Sequence, residues 1–337
     1  VCRVEIDGAV IRNPFEMVFD VLVASAVASG LATLGFVPFL IRNLRGTSLV
    51  GKDLNKAHRP VVPEMGGVAV MLGFSVGVAV ITIFGSDTEL SDVGPYYYVA
   101  LNACLGAGLA GLIDDMFGLR RRMKALVPLL MALPLGAVIY AAGDTVLLGV
   151  DIGLWMALVV PLGITSAANA ANMLEGLNGL GAGLGIIMSV GLIILGFLTQ
   201  EWRGLFLAIP LLGALVGFLY FNRYPSRVFP GDTMTLFVGA TIAAAAIVSH
   251  QKTYGALLFI PMIAEFILKA RGRFRAENYG RLDSKGRLTH DGPVESLTHL
   301  VMRGRPFKEW QVVTVIWALE GAFVASVLAA AYIAGVR

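Results

Sequence analysis

Hydrophobic and polar positions alternate along this chain on the scale of whole helices. Apolar runs of about 18 or more residues recur between polar breaks, and a helix of that length matches the hydrocarbon thickness of a bilayer. The runs predict ten membrane spans, at about 15–41, 66–84, 95–113, 125–142, 152–171, 179–199, 204–222, 233–249, 254–269 and 311–335. The ninth is the weakest: Pro261 and Glu265 interrupt it, so it is expected to be short or kinked. The predicted fold class is all-α, a polytopic membrane protein in one domain, residues 1–337, with a long loop at about 270–310.

The breaks fall into two classes. Those at 85–94, 143–151, 200–203 and 250–253 are short. Those at 42–65, 114–124, 172–178, 223–232 and 270–310 carry nearly all the charge. With Lys269 at the border, the second class holds 21 of the 26 Lys and Arg residues; Arg3, Arg12, Arg203, Lys252 and Arg337 fall on the other side. Positive residues collect in loops that stay inside the cell. The charged loops are therefore expected to be cytoplasmic, with both termini outside and the protein multi-pass in the cell membrane. Residues 1–14 lack a cationic start followed by an apolar core, so the first span is expected to serve as its own insertion signal.

Composition narrows the function. The chain is 57% hydrophobic and 15% charged, against about 25% charged in soluble domains. A net charge of +3 does not imply a nucleic-acid partner. The basic loops suit anionic lipid headgroups and phosphates instead. The two cysteines, Cys2 and Cys104, and four histidines have neither disulfide nor metal-ligand spacing. The glycine-rich run at 179–185 reads as close helix packing and permits a homodimer.

The polar residues at span ends carry the candidate chemistry. Asn172-Met-Leu-Glu-Gly-Leu-Asn-Gly179 places two amides and a carboxylate between apolar runs, where they need water, a metal or a polar ligand. Asp114 and Asp115 close the third span, and Arg120, Arg121, Arg122 and Lys124 follow. Adjacent carboxylates repel unless a cation or proton separates them, so the pair suits Mg²⁺ binding or base chemistry, or a plain solvated helix end. The arginines suit phosphate binding or simple interfacial anchoring. Phe229-Pro-Gly-Asp232 opens the eighth span; Asp232 is placed either as a helix cap or as a Mg²⁺ ligand, and Phe229 to stack on a base. Glu64 stands at the mouth of the second span behind Pro60 and Pro63. The last charged loop begins Lys269-Ala-Arg-Gly-Arg-Phe-Arg275, a run that suits a diphosphate clamp or inner-leaflet anchoring. A Ser-Lys-Gly stretch farther on has the pattern of a hairpin turn.

Together these loops resemble the polyprenyl-phosphate N-acetylhexosamine-1-phosphate transferase family. The carriers are the Asn172–Leu180 stretch, Asp114-Asp115 with Lys124, Phe229-Pro-Gly-Asp232, and Gly51-Lys-Asp-Leu-Asn-Lys56 with Pro63-Glu64. The last of these is similar to the dolichyl-phosphate branch, and the mixture resembles archaeal members. The resemblance implies transfer of GlcNAc-1-phosphate from UDP-GlcNAc to a polyprenyl or dolichyl phosphate, with release of UMP. It implies Mg²⁺, or Mn²⁺ in its place, held by Asn172 and Asp232. Asn178 and Phe229 would hold the uracil, and Lys124 the donor phosphates. Arg271 or Arg273 would take the diphosphate, with Glu64 also on the substrate side. Asp114 and Asp115 would position or deprotonate the lipid phosphate or support the metal. One rival is a related enzyme using another UDP-HexNAc or a UDP-MurNAc-peptide. The histidine-rich motif of the cell-wall branch is missing, with only His299 at its place. The rival of another class, a secondary transporter, would place polar groups near mid-membrane and show repeated halves; here they gather at one face.

Overall fold

The computed structural model describes residues 4–6, 9–11, 14–85 and 94–335; Cys2, Arg3, Arg12, Arg337 and positions 86–93 lie outside them. A hairpin of β1 (Val4–Ile6) and β2 (Ala9–Ile11) leads into α1 (Pro14–Leu44). A second hairpin, β3 (Val50–Lys52) with β4 (Val61–Pro63), leads into α2 (Gly67–Phe84). Next come α3 (Gly94–Phe117), α4 (Arg121–Ala141), the hairpin β5 (Val146–Leu147) and β6 (Val150–Asp151), and α5 (Met156–Leu174). Then follow α6 (Leu180–Thr199), α7 (Leu205–Asn222), α8 (Gly231–Val248), α9 (Lys252–Leu258) and α10 (Ile260–Arg271). The chain ends with β7 (Arg281–Leu282) and β8 (Leu288–Thr289), α11 (Leu297–Met302) and α12 (Glu309–Ile333).

Nine helices among the described residues are long and apolar enough to cross a bilayer, and α9 with α10 makes a tenth if that pair is one span. The pair is bent by 56°. Phe259 sits at the break, and Pro261 lacks the N–H that would carry the α9 hydrogen-bond ladder onward. The predicted ninth span is thus a broken one. The four short hairpins make the chain mostly helical rather than strictly all-α. The β7–β8 hairpin stands where the Ser-Lys-Gly pattern placed it. Asp283 Oδ1 accepts from the N–H groups of Lys285 (2.8 Å) and Arg287 (2.9 Å) across its turn.

Helix α8 is the axis. Every residue from Thr233 to Val248 is buried, and α2, α3, α5, α6, α7 and α9 pack around it. Small residues allow the approach: a Cβ on Gly239 would lie 2.4 Å from the Ala167 carbonyl oxygen of α5. Outer faces carry Phe19, Val23, Val27 and Leu31 of α1 in the open, as lipid-facing surfaces require. On the α6 side of α12, Glu320 is fully buried, and neither of its oxygens has a partner among the described residues.

Among the described residues, the two loop classes sort to opposite ends of the bundle. At one end Asp144, Arg203, His250 and Lys252 meet. His250 bridges Asp144 Oδ2 and Arg203 Nη1 at 2.7 Å each, and Lys252 pairs with Asp144 Oδ1. All the motif-bearing loops meet at the other end.

Candidate active site

The N-terminus of α8 is held from α3. Asp115 Oδ1 accepts from the Asp232 N–H at 2.7 Å, and Oδ2 accepts from the Thr233 N–H at 3.0 Å and hydroxyl at 2.5 Å. Asp115 therefore satisfies two of the free N–H groups of the first α8 turn in place of a local cap. The approach requires glycine twice. Gly231 takes φ +67°, and a Cβ there would stand 2.4 Å from Asp115 Oδ2; a Cβ on Gly111 would stand 2.3 Å from the Asp232 carbonyl oxygen. Asp114, one residue earlier, accepts from the Leu119 N–H at 2.6 Å. Its other oxygen pairs with Lys124 at 2.5 Å, and the same ammonium pairs with Asp232. Lys124 thus bridges Asp114 and Asp232, whose carboxyl groups also meet each other.

The turn before α8 docks on the end of the β3–β4 hairpin. The Phe229 N–H donates to the Pro63 carbonyl (2.8 Å), and the Phe229 and Pro230 carbonyls accept from Gly66 (2.9 Å) and Gly67 (2.8 Å). Glu64 is half-buried beside this joint; burial first, and the Asp115 charge second, push its carboxyl above the ordinary range.

A polar cavity of about 270 Å³ opens here, lined by Lys52, Glu64, Asn172, Glu175, Asn178, Phe229, Asp232 and Tyr279, among others. Its floor is the α5–α6 connection, pinned carbonyl by carbonyl. Met173 O accepts from Lys269 and from Asn278 Nδ2 (2.9 Å), Glu175 O from Asn278 Nδ2 (2.5 Å), and Gly176 O from Asn55 Nδ2 (3.1 Å). Glu175 Oε2 is buried, and enclosure pushes this carboxyl up to about 7 despite the Gly176 and Gly181 N–H groups. Tyr279 is kept protonated by burial and by Glu277 and Glu175.

An apolar groove of about 680 Å³ runs alongside between α4, α5, α8, α9 and α10. Ala125, Asn169, Ala170 and Met173 line it at the cavity end, and Leu147, Met156 and Lys252 at the far end. Exposed Gly163, Ser166, Ala256, Ile263 and Phe266 open it to the outside of the bundle.

Of the residues chosen from sequence, Glu64, Asn172, Asn178, Phe229 and Asp232 line the cavity, and Asp114, Asp115 and Lys124 stand directly behind Asp232. Arg271 and Arg273 do not line it; both are exposed, and the chain reverses there with Arg273 and Phe274 at positive φ. The cation lining the cavity is Lys52. Lys52, Asp53, Asn278 and Tyr279 were missed. The first two lie inside the quoted Gly51–Lys56 motif, whereas Asn278 and Tyr279 carry no local signal.

These features define a class: a polytopic helical membrane enzyme whose polar cavity adjoins an apolar groove. Residues 97–250 match the model of Glycosyl transferase family 4. The chain is 38% identical, over 85% of its length and 89% of the relative's, to a Saccharolobus solfataricus protein provisionally named UDP-N-acetylglucosamine–dolichyl-phosphate N-acetylglucosaminephosphotransferase. A Dictyostelium discoideum enzyme of that name is 30% identical over 71% of this chain and 69% of its own. A Shouchella clausii phospho-N-acetylmuramoyl-pentapeptide-transferase is 28% identical over 88% and 92%. The chain belongs to glycosyl transferase family 4, and within it to the polyprenyl-phosphate N-acetylhexosamine-1-phosphate transferases.

Proposed function

We propose that this chain transfers GlcNAc-1-phosphate from UDP-GlcNAc to dolichyl phosphate or a related polyprenyl phosphate, releasing UMP and starting lipid-linked glycan assembly as in N-glycosylation. The observation that carries the reading is the junction at the end of α5: the polar cavity, with Asn172, and the apolar groove, with Met173, meet at adjacent residues. A nucleotide-sugar and a lipid phosphate brought to that junction place their phosphates together. An oxygen of the lipid phosphate forms a bond to the β-phosphorus of the donor as the bond from that phosphorus to the bridging oxygen breaks. UMP leaves with the bridging oxygen and its electron pair. The acceptor phosphate is already largely ionised near neutral pH, its second pKa being about 6, so no general base is required. Asp115, with both oxygens committed to α8, serves to hold Asp232 in place. Lys124 and Lys52 bring positive charge toward the phosphates, and Asn178 and Phe229 hold the uracil.

The donor set fits Mg²⁺. Among the described residues no three His, Cys, Asp or Glu side chains form a metal-enclosing group. Mg²⁺ needs only one or two protein carboxylates beside water and substrate phosphates. Asp232 and Asn172 offer oxygens to one cavity in which Glu175 Oε2 has no hydrogen-bond partner among the described residues; they would hold the ion, which when bound neutralises phosphate charge. The charged end of the bundle is cytoplasmic in this reading, with both termini outside and the chain in the cell membrane.

The test is detergent-purified protein with Mg²⁺, dolichyl phosphate and labelled UDP-GlcNAc, with other UDP-sugars, including the muramyl-pentapeptide donor, in parallel. UMP release and labelled lipid are expected with UDP-GlcNAc, and Asp232→Ala should abolish both while keeping its melting temperature. A folded protein inactive with every donor would sink the transferase reading.

A further inference from the structure

One buried set of charges is left without a part in that chemistry. Asp53 comes from the first charged loop and Glu309 from the first turn of α12, and each is 3% exposed. Lys56 lies between them. All four carboxylate oxygens are engaged. Asp53 Oδ1 accepts from the Asn55 N–H at 3.2 Å, and Oδ2 from Lys56 and from Asn178 Nδ2 at 3.1 Å. Glu309 Oε1 accepts from the Asn178 N–H at 2.8 Å, and Oε2 from Lys56 at 3.1 Å. Lys56 also rests over the Tyr224 ring, 4.7 Å from its centroid. Joining the first loop to α12 would account for a Lys56 salt bridge. It does not account for both N–H donors of Asn178, backbone and side chain, being held by different carboxylates.

The set converges on Asn178, which is 7% exposed and lines the cavity. A carboxylate accepts hydrogen bonds and cannot donate, so Asp53 decides which way the Asn178 amide is turned. Nδ2 faces Asp53. Oδ1 takes no hydrogen bond from the described residues and is the amide atom left for a ligand. Turning the amide over would set two acceptors face to face in a buried place, where an unpaired polar contact is most costly.

We infer that Asp53, Lys56 and Glu309 are positioning residues that lock the Asn178 amide with its oxygen toward the nucleobase, so that the cavity selects a base carrying an N–H donor on that edge, such as uracil, over one with a bare acceptor, such as cytosine. The inference rests on the uridine-nucleotide reading above. Lys56 sets one positive charge between the two carboxylates.

The full chain in detergent tests this through turnover of UDP-GlcNAc and inhibition by UDP and by CDP. Wild type should prefer UDP by about 100-fold, because a site built for a donor leaves its own acceptor unpaired against the wrong base. In Asp53→Asn, whose side chain can either donate or accept, that ratio should fall about tenfold, KM for UDP-GlcNAc should rise, and kcat should stay within about threefold. KM for the lipid should not move. Asn178→Asp alone sets two carboxylates together. Combining it with Asp53→Asn reverses donor and acceptor yet keeps an oxygen for the base, and should restore the UDP preference. If Asp53→Asn does not fold, this double exchange carries the test. A UDP to CDP ratio unchanged in Asp53→Asn, with only kcat or melting temperature reduced, would make the set purely structural. So would a double exchange no more selective than Asn178→Asp. Wild type that turns over UDP-GlcNAc without preferring UDP also overturns the inference, while leaving the transferase reading intact. Wild type inactive with every donor sinks that reading first.

Discussion

Asp115 gives both its oxygens to the first turn of α8, so its removal should act through its neighbour Asp232. In Asp115→Asn the new amide cannot accept from Asp232 and Thr233 with both ends. The expected loss is about 100-fold in kcat, the scale on which small misplacements of catalytic groups act, read as UMP release. Glu175 behaves differently. Its carboxyl titrates near 7 in the folded chain against an ordinary 4.5. The folded state therefore prefers the protonated form, and Glu175 costs nothing below pH 4.5, progressively more up to about 7, and a constant amount above. Glu175→Gln should match wild type in stability at pH 4 and exceed it by up to about 3 kcal/mol at pH 8, measured by melting with Mg²⁺ chelated. A gap that does not widen with pH would show the carboxylate to be paired. At this scale identities are more legible than roles. The residues around Asp232 come together in space, but the commitment of Asp115 to α8 depends on α3 and α8 lying side by side, which no local pattern encodes.

Helices were legible because a membrane span must be apolar along its whole length and its ends must be polar. Where that rule weakened, at Pro261 and Glu265, the span broke into α9 and α10. Glu265 is buried there, accepting from the Ser296 hydroxyl (3.0 Å) and Leu297 N–H (2.7 Å) and lying 3.5 Å from Lys269. The β3–β4 hairpin was not legible. Three-residue strands have too little periodicity to stand out, and Pro60 and Pro63 suggested only stiffness. Packing between helices was also hidden, although its glycines were in view. Gly111 on α3 touches the Asp232 backbone, whereas a Cβ on Gly35 of α1 would meet nothing within 4 Å. Gly111→Ala should therefore push α8 off Asp115 and cut activity at least tenfold, while Gly35→Ala should leave both activity and melting temperature near wild type. Equal effects of the two would refute the close α3–α8 contact as a determinant of the site.

The whole molecule separates a heavily charged end from a sparse one, and orientation follows from which end faces the cytoplasm. In a Cys2→Ser background, where Cys104 is buried, Ser284→Cys and Val150→Cys place thiols at exposed positions on opposite ends. An impermeant maleimide on intact cells should label Val150→Cys only, and on inverted vesicles Ser284→Cys only; the reverse pattern would overturn the assigned topology. One further consequence lies in the groove beside α5, whose mouth is formed by exposed Gly163, Ile263 and Phe266 on the flank of the bundle. A lipid acceptor entering there arrives from within the membrane plane. What such an enzyme senses is the surface density of its acceptor, the mole fraction in bilayer or micelle, and not the amount per litre. Adding inert detergent at fixed acceptor concentration should then slow the reaction as though substrate had been withdrawn, while the dependence on the water-soluble donor stays put.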